Sequence, residues 1–180
     1  MALEEEEIRP DAPFVRIAVF AFVASLVLAP TALGAERQTT LESALVRQIN
    51  SVRVDRGLRP LVLSKKLSAA ATQHTREMGA DGYFEHESFD KSPFWERIAK
   101  WYPSRGWNSW GVAENILWSS PDVTANGVVR TWFNSPQHRA NMLSKNWREV
   151  GVSAIHFDAA PGEYGGGPAT IVTADFGTRL

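Results

Sequence analysis

The stretch Trp132-Phe133-Asn134-Ser135-Pro136-Gln137-His138-Arg139-Ala140-Asn141-Met142-Leu143 carries the deciding pattern in this chain. Ser135-Pro136 reads as a helix start: a capping hydroxyl, then a proline whose fixed φ and missing N–H suit the first turn. The short helix runs through Leu143. His138 falls in its first turn, where a loop meets a helix in polar company. Trp132 and Phe133 close a preceding helix that opens near Ser120-Pro121.

Upstream, Leu41, Leu45, Ile49 and Val52 recur at helical spacing, with Thr40 as a cap and Gly57 and Pro60 as stops. Leu61-Val62-Leu63 is a short apolar connector. Ser64 caps a second helix with a buried face of Leu67, Ala71, His74 and Met78, and Gly82 ends it. Ser92-Pro93 opens a third, aromatic helix through Phe94, Ile98 and Trp101. Residues 102–111 read as loop, and Val112 to Trp118 as a strand. Downstream, Val150 to Phe157 alternates with period two, residues 162–167 form a glycine-rich turn, and Thr170 to Phe176 returns as a hairpin partner. Helices first and a terminal hairpin last predict an α+β domain, its helices covering an antiparallel sheet.

The N-terminus differs in character. Residues 17–30 read IAVFAFVASLVLAP without a charge, after Arg16 and before small residues. This order fits a secretory signal. The acidic leader MALEEEEIRPDAP and the extension of the run to Leu33, near the lower limit for a spanning helix, fit an uncleaved anchor instead. The expected organisation is a signal peptide or anchor over 1–35, a polar linker over 36–40 and one domain over 41–180. Residues 1–35 carry a charge of −3 and the remainder +2. With no basic stretch, nucleic acid is not an expected partner. There is no cysteine, which excludes disulfides, thiolate metal sites and cysteine nucleophiles. No nucleophile elbow, phosphate loop or dinucleotide fingerprint is present.

Four histidines remain. His74 lies on an apolar helix face and reads as a satisfied core residue; His156, in the terminal hairpin, reads as a surface one. His86, in Phe84-Glu85-His86-Glu87-Ser88, and His138 are polar loop-to-helix residues. Glu114, in Gly111-Val112-Ala113-Glu114-Asn115-Ile116, is a carboxylate in apolar company, so it requires a partner or a raised pKa. Two imidazoles and one carboxylate suit a divalent metal such as zinc, or acid–base work. The gaps of 28 and 24 residues match no local metal motif, and a buried hydrogen-bond network holding loops together satisfies the same residues. All seven tryptophans fall between residues 95 and 147; Trp107 and Trp110, in a Gly/Ser-rich loop, are expected at a binding surface.

From Leu41 to Phe176 the chain resembles the CAP superfamily (cysteine-rich secretory, antigen 5 and pathogenesis-related proteins), particularly its bacterial SCP-like branch. The segments that carry the resemblance are Ile49-Asn50-Ser51-Val52-Arg53 with Leu58-Arg59-Pro60-Leu61, Tyr83-Phe84-Glu85-His86, Ala113-Glu114-Asn115-Ile116, the opening stretch 132–143, and Glu149-Val150-Gly151-Val152. Five such pieces in order are specific. The resemblance implies an α-β-α sandwich with a large cleft, lined in many members by two histidines and two acidic residues. His86, Glu114 and His138 match three of these positions. The second acid falls at Ser135, so a mechanism needing both carboxylates is in doubt, while metal binding by His86 and His138 is retained. Glu114, Asn115 and Ser135 are expected to line the cleft. The family is mostly secreted, and lipid or sterol binding, signalling and proteolysis have been attributed to its members. The expected function is a non-enzymatic binding module for a lipid, sterol, envelope component or protein partner. The alternative is a metal-dependent hydrolase in which Glu114 acts on water. Fold alone does not decide between them.

Overall fold

The computed structural model describes residues 34–180. The apolar run 17–33, read as signal or anchor, lies outside the described residues. Chain order is β1 (Glu36–Arg37), α1 (Thr39–Val54), β2 (Val62–Leu63), α2 (Lys65–Asp81), α3 (Phe94–Trp101), β3 (Trp110–Ser119), α4 (Ala125–Asn134), α5 (Pro136–Leu143), β4 (Glu149–Phe157) and β5 (Ala169–Arg179). The sheet order is β1-β4-β5-β3 with antiparallel neighbours, and β2 joins β4 in parallel. The expected α+β class and α-β-α layering are both present.

Period-two alternation builds the layers. In register, β4 and β5 pair Val152 with Ala174 and Gly151 with Asp175, and β3 continues the rows with Asn115 and Glu114. One face presents Val150, Val152, Ala154, Val172, Ala174 and Phe176 to Leu45 and Ile49 of α1, Trp132 of α4 and Met142 of α5. The other face carries Ile155, Phe157, Ile171 and Ile116, packed on Met78 of α2. Beside them, Leu67 and Ala70 of α2 meet Ile98 and Tyr102 at α3. Each fully buried Leu, Ile or Phe contributes about 1.5–3 kcal/mol, so these clusters provide most of the driving force.

Several expectations about segment ends change: β3 already begins at Trp110, inside the stretch 102–111 read as loop, and Thr40, read as a cap, lies within α1. Residues 36–40 are not a linker: Glu36 and Arg37 pair with His156 and Ile155 as β1, and Thr39 already starts α1. Glu42 explains the early start. Its carboxylate accepts from Arg37 Nε at 2.8 Å and from Ala154 N at 3.1 Å, clamping the entering chain to the outer edge of β4. The helix expected from Ser120-Pro121 begins only at Ala125, where Thr124 Oγ1 accepts from Gly127 N at 3.1 Å. Proline biases the residue before it towards extended backbone, so Ser120-Pro121 closes β3 and the helix waits for the next hydroxyl.

Candidate functional site

The strand β3 is an edge strand, and the site is built around that edge. Alternation sends Glu114 to the α2–α3 face and Asn115 to the α4–α5 face. Asn115 Nδ2 donates to the carbonyl of His138 at 3.0 Å, and Asn141 Nδ2 donates to Asn115 Oδ1 at 2.9 Å and to the Glu114 carbonyl at 3.1 Å. Trp132 Nε1 donates to the Ile116 carbonyl at 3.0 Å. Side chains from α4 and α5 thus satisfy carbonyls on the strand edge that no neighbouring strand reaches, and they dock α5 with His138 beside Glu114.

On the opposite face, Glu114 is almost wholly buried with both oxygens engaged. Oε1 accepts from His86 Nδ1 at 2.8 Å, and Oε2 accepts from the guanidinium of Arg97. Arg97 is itself buried on α3, and its Nη1 also donates to the His86 carbonyl at 3.2 Å and to Ser88 Oγ at 3.1 Å. One guanidinium therefore fastens the loop bearing His86 onto β3. His74 is satisfied as expected of a core residue: Nε2–H donates to the Glu85 carbonyl at 3.0 Å, and Nδ1 accepts from Tyr83 at 3.4 Å. It also lies 3.8 Å from Glu114 Oε1. His156 is held by Thr170 Oγ1 at 2.9 Å and is remote from the site by its place at the β1 end of β4.

The two expected imidazoles do meet. Their ring centroids lie 6.5 Å apart, edge to face, with the His138 ring 6.4 Å from that of Trp132. They do not share the carboxylate: of the two, only His86 bonds Glu114, because the sheet edge separates the faces from which Glu114 and His138 approach. Between them is a cleft of about 370 Å³ lined by His86, Phe94, Glu114, Gln137, His138 and Asn141, with Ala113 and Ala140. The expected lining residues Asn115 and Ser135 are not among these. Asn115 is buried behind the strand edge, and Ser135 joins α4 to α5. Trp107 is exposed, with Arg179 stacked 4.8 Å from its ring; Trp110 instead donates to the Tyr102 carbonyl at 2.8 Å.

Electrostatics sorts these groups. Burial alone would raise the pKa of Glu114, but the His86 hydrogen bond and the surrounding cationic groups, the permanently charged Arg97 among them, outweigh it, and the net direction is down. Burial lowers His74 to about 4, only partly opposed by Glu114, so it is neutral near pH 7. His138 is lowered by burial and then by His86. His86 gives Nδ1–H to Glu114, and its Nε2 has no hydrogen-bond partner among the described residues. The partly exposed His86 and His138 rings are the groups that face the cleft.

Asp175 was not foreseen. It sits opposite Glu114 in the β3–β5 register, wholly buried, and neither of its oxygens meets a donor among the described residues. Burial, then the charge of Glu114, push its pKa well above the usual carboxylate range, and the protonated acid can donate to Glu114. An acid inside the apolar run Ile171 to Phe176 was the sequence signal; for Arg97 it was a cation directly beside Ile98 on the aromatic helix. A raised carboxyl pKa costs stability as pH climbs from the unfolded value towards the folded one. Asp175→Asn is therefore expected to be more stable than the native chain at pH 7, the gain vanishing near pH 4; urea unfolding at the two pH values measures it, and a loss at pH 7 would show an ionised Asp175.

A catalytic zinc takes three protein ligands and a structural zinc four. Among the described residues no group of three or more His, Cys, Asp or Glu side chains is arranged to hold a metal ion. His86 and His138 offer two nitrogens, and Glu114, expected to serve beside them, is already bound by Arg97 and His86. The donor set does not fit a resident catalytic zinc.

Known proteins share this architecture. The sequence profile of the cysteine-rich secretory protein family, CAP, matches residues 46–176. The uncharacterized protein YkwD of Bacillus subtilis (strain 168) is 31% identical over 114 residues, covering 63% of this chain and 42% of that protein. The uncharacterized membrane protein YlbC of the same organism is 27% identical over 130 residues, covering 70% and 36%. The chain thus spans about two fifths of the length of the curated relatives it matches. Among solved structures, an SCP-domain extracellular protein of Bacillus anthracis has a TM-score of 0.59 at 22% identity, over 77% of this chain and 40% of that one. An outer surface protein of Borrelia burgdorferi has a TM-score of 0.63 at 21% identity, over 81% and 99%. These likenesses concern the fold, and the profile match extends over nearly three quarters of the sequence, through every residue of the His86–Glu114–His138 site: the chain belongs to the CAP family.

Proposed function

We propose that this CAP domain is a non-enzymatic binding module that works outside the cytoplasm, exported or held at the membrane by the apolar run 17–33, and that it takes a polar envelope component or protein segment into the cleft between His86 and His138. One observation carries the reading: the carboxylate expected to do chemistry is buried and spent on structure. With Glu114 fastened to Arg97 and His86, the cleft presents imidazole and amide groups over the Phe94 ring, with no activated nucleophile. Such a lining recognises a hydrogen-bonding ligand. A sterol or acyl chain fits it less well, since apolar ligands need mostly apolar walls. Descriptions of the relatives as extracellular, outer-surface or membrane proteins support the location.

Mass spectrometry of ligands co-purifying with the full chain tests this. His138→Ala is expected to lose a ligand that the native chain retains, with the unfolding midpoint little changed because the His138 ring makes no hydrogen bond among the described residues. An identical ligand set in both proteins would defeat the proposal. The hydrolase alternative predicts instead stoichiometric zinc by elemental analysis, lost in both His86→Ala and His138→Ala.

A further inference from the structure

A second concavity, larger than the histidine cleft, lies on the opposite edge of the sheet. It has a volume of about 580 Å³, and its lining among the described residues includes Arg37, Leu63, Lys65, Arg76 and Trp101 but no acidic residue. A smaller cavity shares Arg37, Leu63 and Ser68 with it and is lined also by Glu42, the partner of Arg37. Leu63 and Trp101 are 57% and 44% exposed, a large apolar side chain and an indole opening into one basic hollow. Single exposed apolar residues are ordinary, but two in a shared hollow rimmed by cations form a patch. The indole is also held in place, Trp101 Nε1 donating to Gln73 Oε1 at 2.7 Å.

The entry of the chain lies in the same place. Arg37 lines the hollow and belongs to β1, pinned to β4. Leu33, the last residue of the apolar run, is four residues away, a reach of at most about 14 Å. With the run in a bilayer, that short tether keeps this edge of the domain close to the lipid. We propose that the Arg37–Leu63–Lys65–Arg76–Trp101 hollow is a membrane-docking face that seats on an anionic lipid surface and turns the histidine cleft, on the far sheet edge, away from the bilayer. Indole and leucine enter the interfacial zone while arginine and lysine meet lipid phosphates, the division of labour found at membrane interfaces. This rests on the reading of residues 17–33 as membrane-inserted.

The cysteine-free chain permits a direct test. Full-length Leu63→Cys, labelled with an environment-sensitive fluorophore, is reconstituted into phosphatidylglycerol-containing vesicles bearing a lipid-depth quencher, with Arg130→Cys on α4 as the control site. Co-flotation under high salt reports insertion of the apolar run independently of the label. The expected result is flotation, quenching at position 63, none at position 130, and about a fivefold drop in the face-down population for each of Lys65→Gln and Arg76→Gln. Flotation with an unquenched label at 63 overturns the docking face while leaving the anchor intact. No flotation with an unquenched label overturns both. Equal quenching in phosphatidylcholine alone, or unchanged quenching in the charge variants, overturns the anionic-surface assignment. Protection of the label by a soluble anionic polysaccharide, but not by vesicles, assigns the hollow to a glycan and also overturns it.

Discussion

Arg97→Leu is expected to destabilise the domain by about 3–5 kcal/mol at pH 7, because it strands the buried Glu114 carboxylate beside Asp175 with His86 as its only strong partner. Against a typical stability of about 5–15 kcal/mol, that brings the variant close to unfolding. Urea titration measures it as a fall in midpoint. The pH dependence supplies the sign. A depressed carboxylate pKa adds stability above its unfolded value, and that stability is lost as pH falls through the folded one. The gap between Arg97→Leu and the native chain must therefore narrow below the ordinary carboxylate range, where Glu114 is neutral in both. The loss has a second component, since Arg97 also holds the His86 carbonyl and Ser88. Arg97→Leu combined with Glu114→Gln should recover part of the stability by removing the stranded charge. A loss below about 1 kcal/mol at pH 7 would mean that Glu114 is already neutral and that the network is of a different kind.

Gly151→Ala is expected to be as damaging from a single methyl group. A β-carbon there would lie 2.1 Å from the carbonyl carbon of Leu67 and 2.1 Å from the nitrogen of Ser68. Those are backbone atoms at the start of α2, so no rotamer change relieves the clash; helix and sheet must separate. The cost is on the order of 3 kcal/mol, which for a domain of this size lowers Tm by about 6–12 °C. Gly167→Ala is the matched control, its nearest atom being 4.0 Å away, with an expected change within about 0.5 kcal/mol. Equal thermal shifts in the two variants would contradict the close seating of α2 on β4. The packing also bears on the site, because α2 carries His74 against Glu114.

Much of this architecture is legible in the sequence. Leu45 and Ile49, the buried face Leu67–Ala71–His74–Met78, the helix opened by Ser135-Pro136 and the alternation of Val150 to Phe157 are local signals, set by neighbours three or four residues away, or two. Local signals also misled where tertiary contacts outbid them. Glu36 and Arg37 looked like polar linker because nothing nearby announces the free edge of β4 or the carboxylate of Glu42. The family segments pointed to His86, Glu114 and His138 together, and all three line one cleft.

The roles within that cleft were decided in three dimensions. Which imidazole holds the carboxylate depends on β3 being an edge strand, with Glu114 and Asn115 on opposite faces. Arg97 and Asp175 enter only because α3 lies over β3 and because the β3–β5 register sets residue 175 opposite residue 114. A sequence encodes periodicity in its nearest neighbours, and from that alone this chain specified its helices, its hairpin and its layers. The charge state and purpose of a buried cluster drawn from residues 74, 86, 97, 114 and 175 depend on distances and desolvation between segments remote along the chain, and those exist only once the layers have closed.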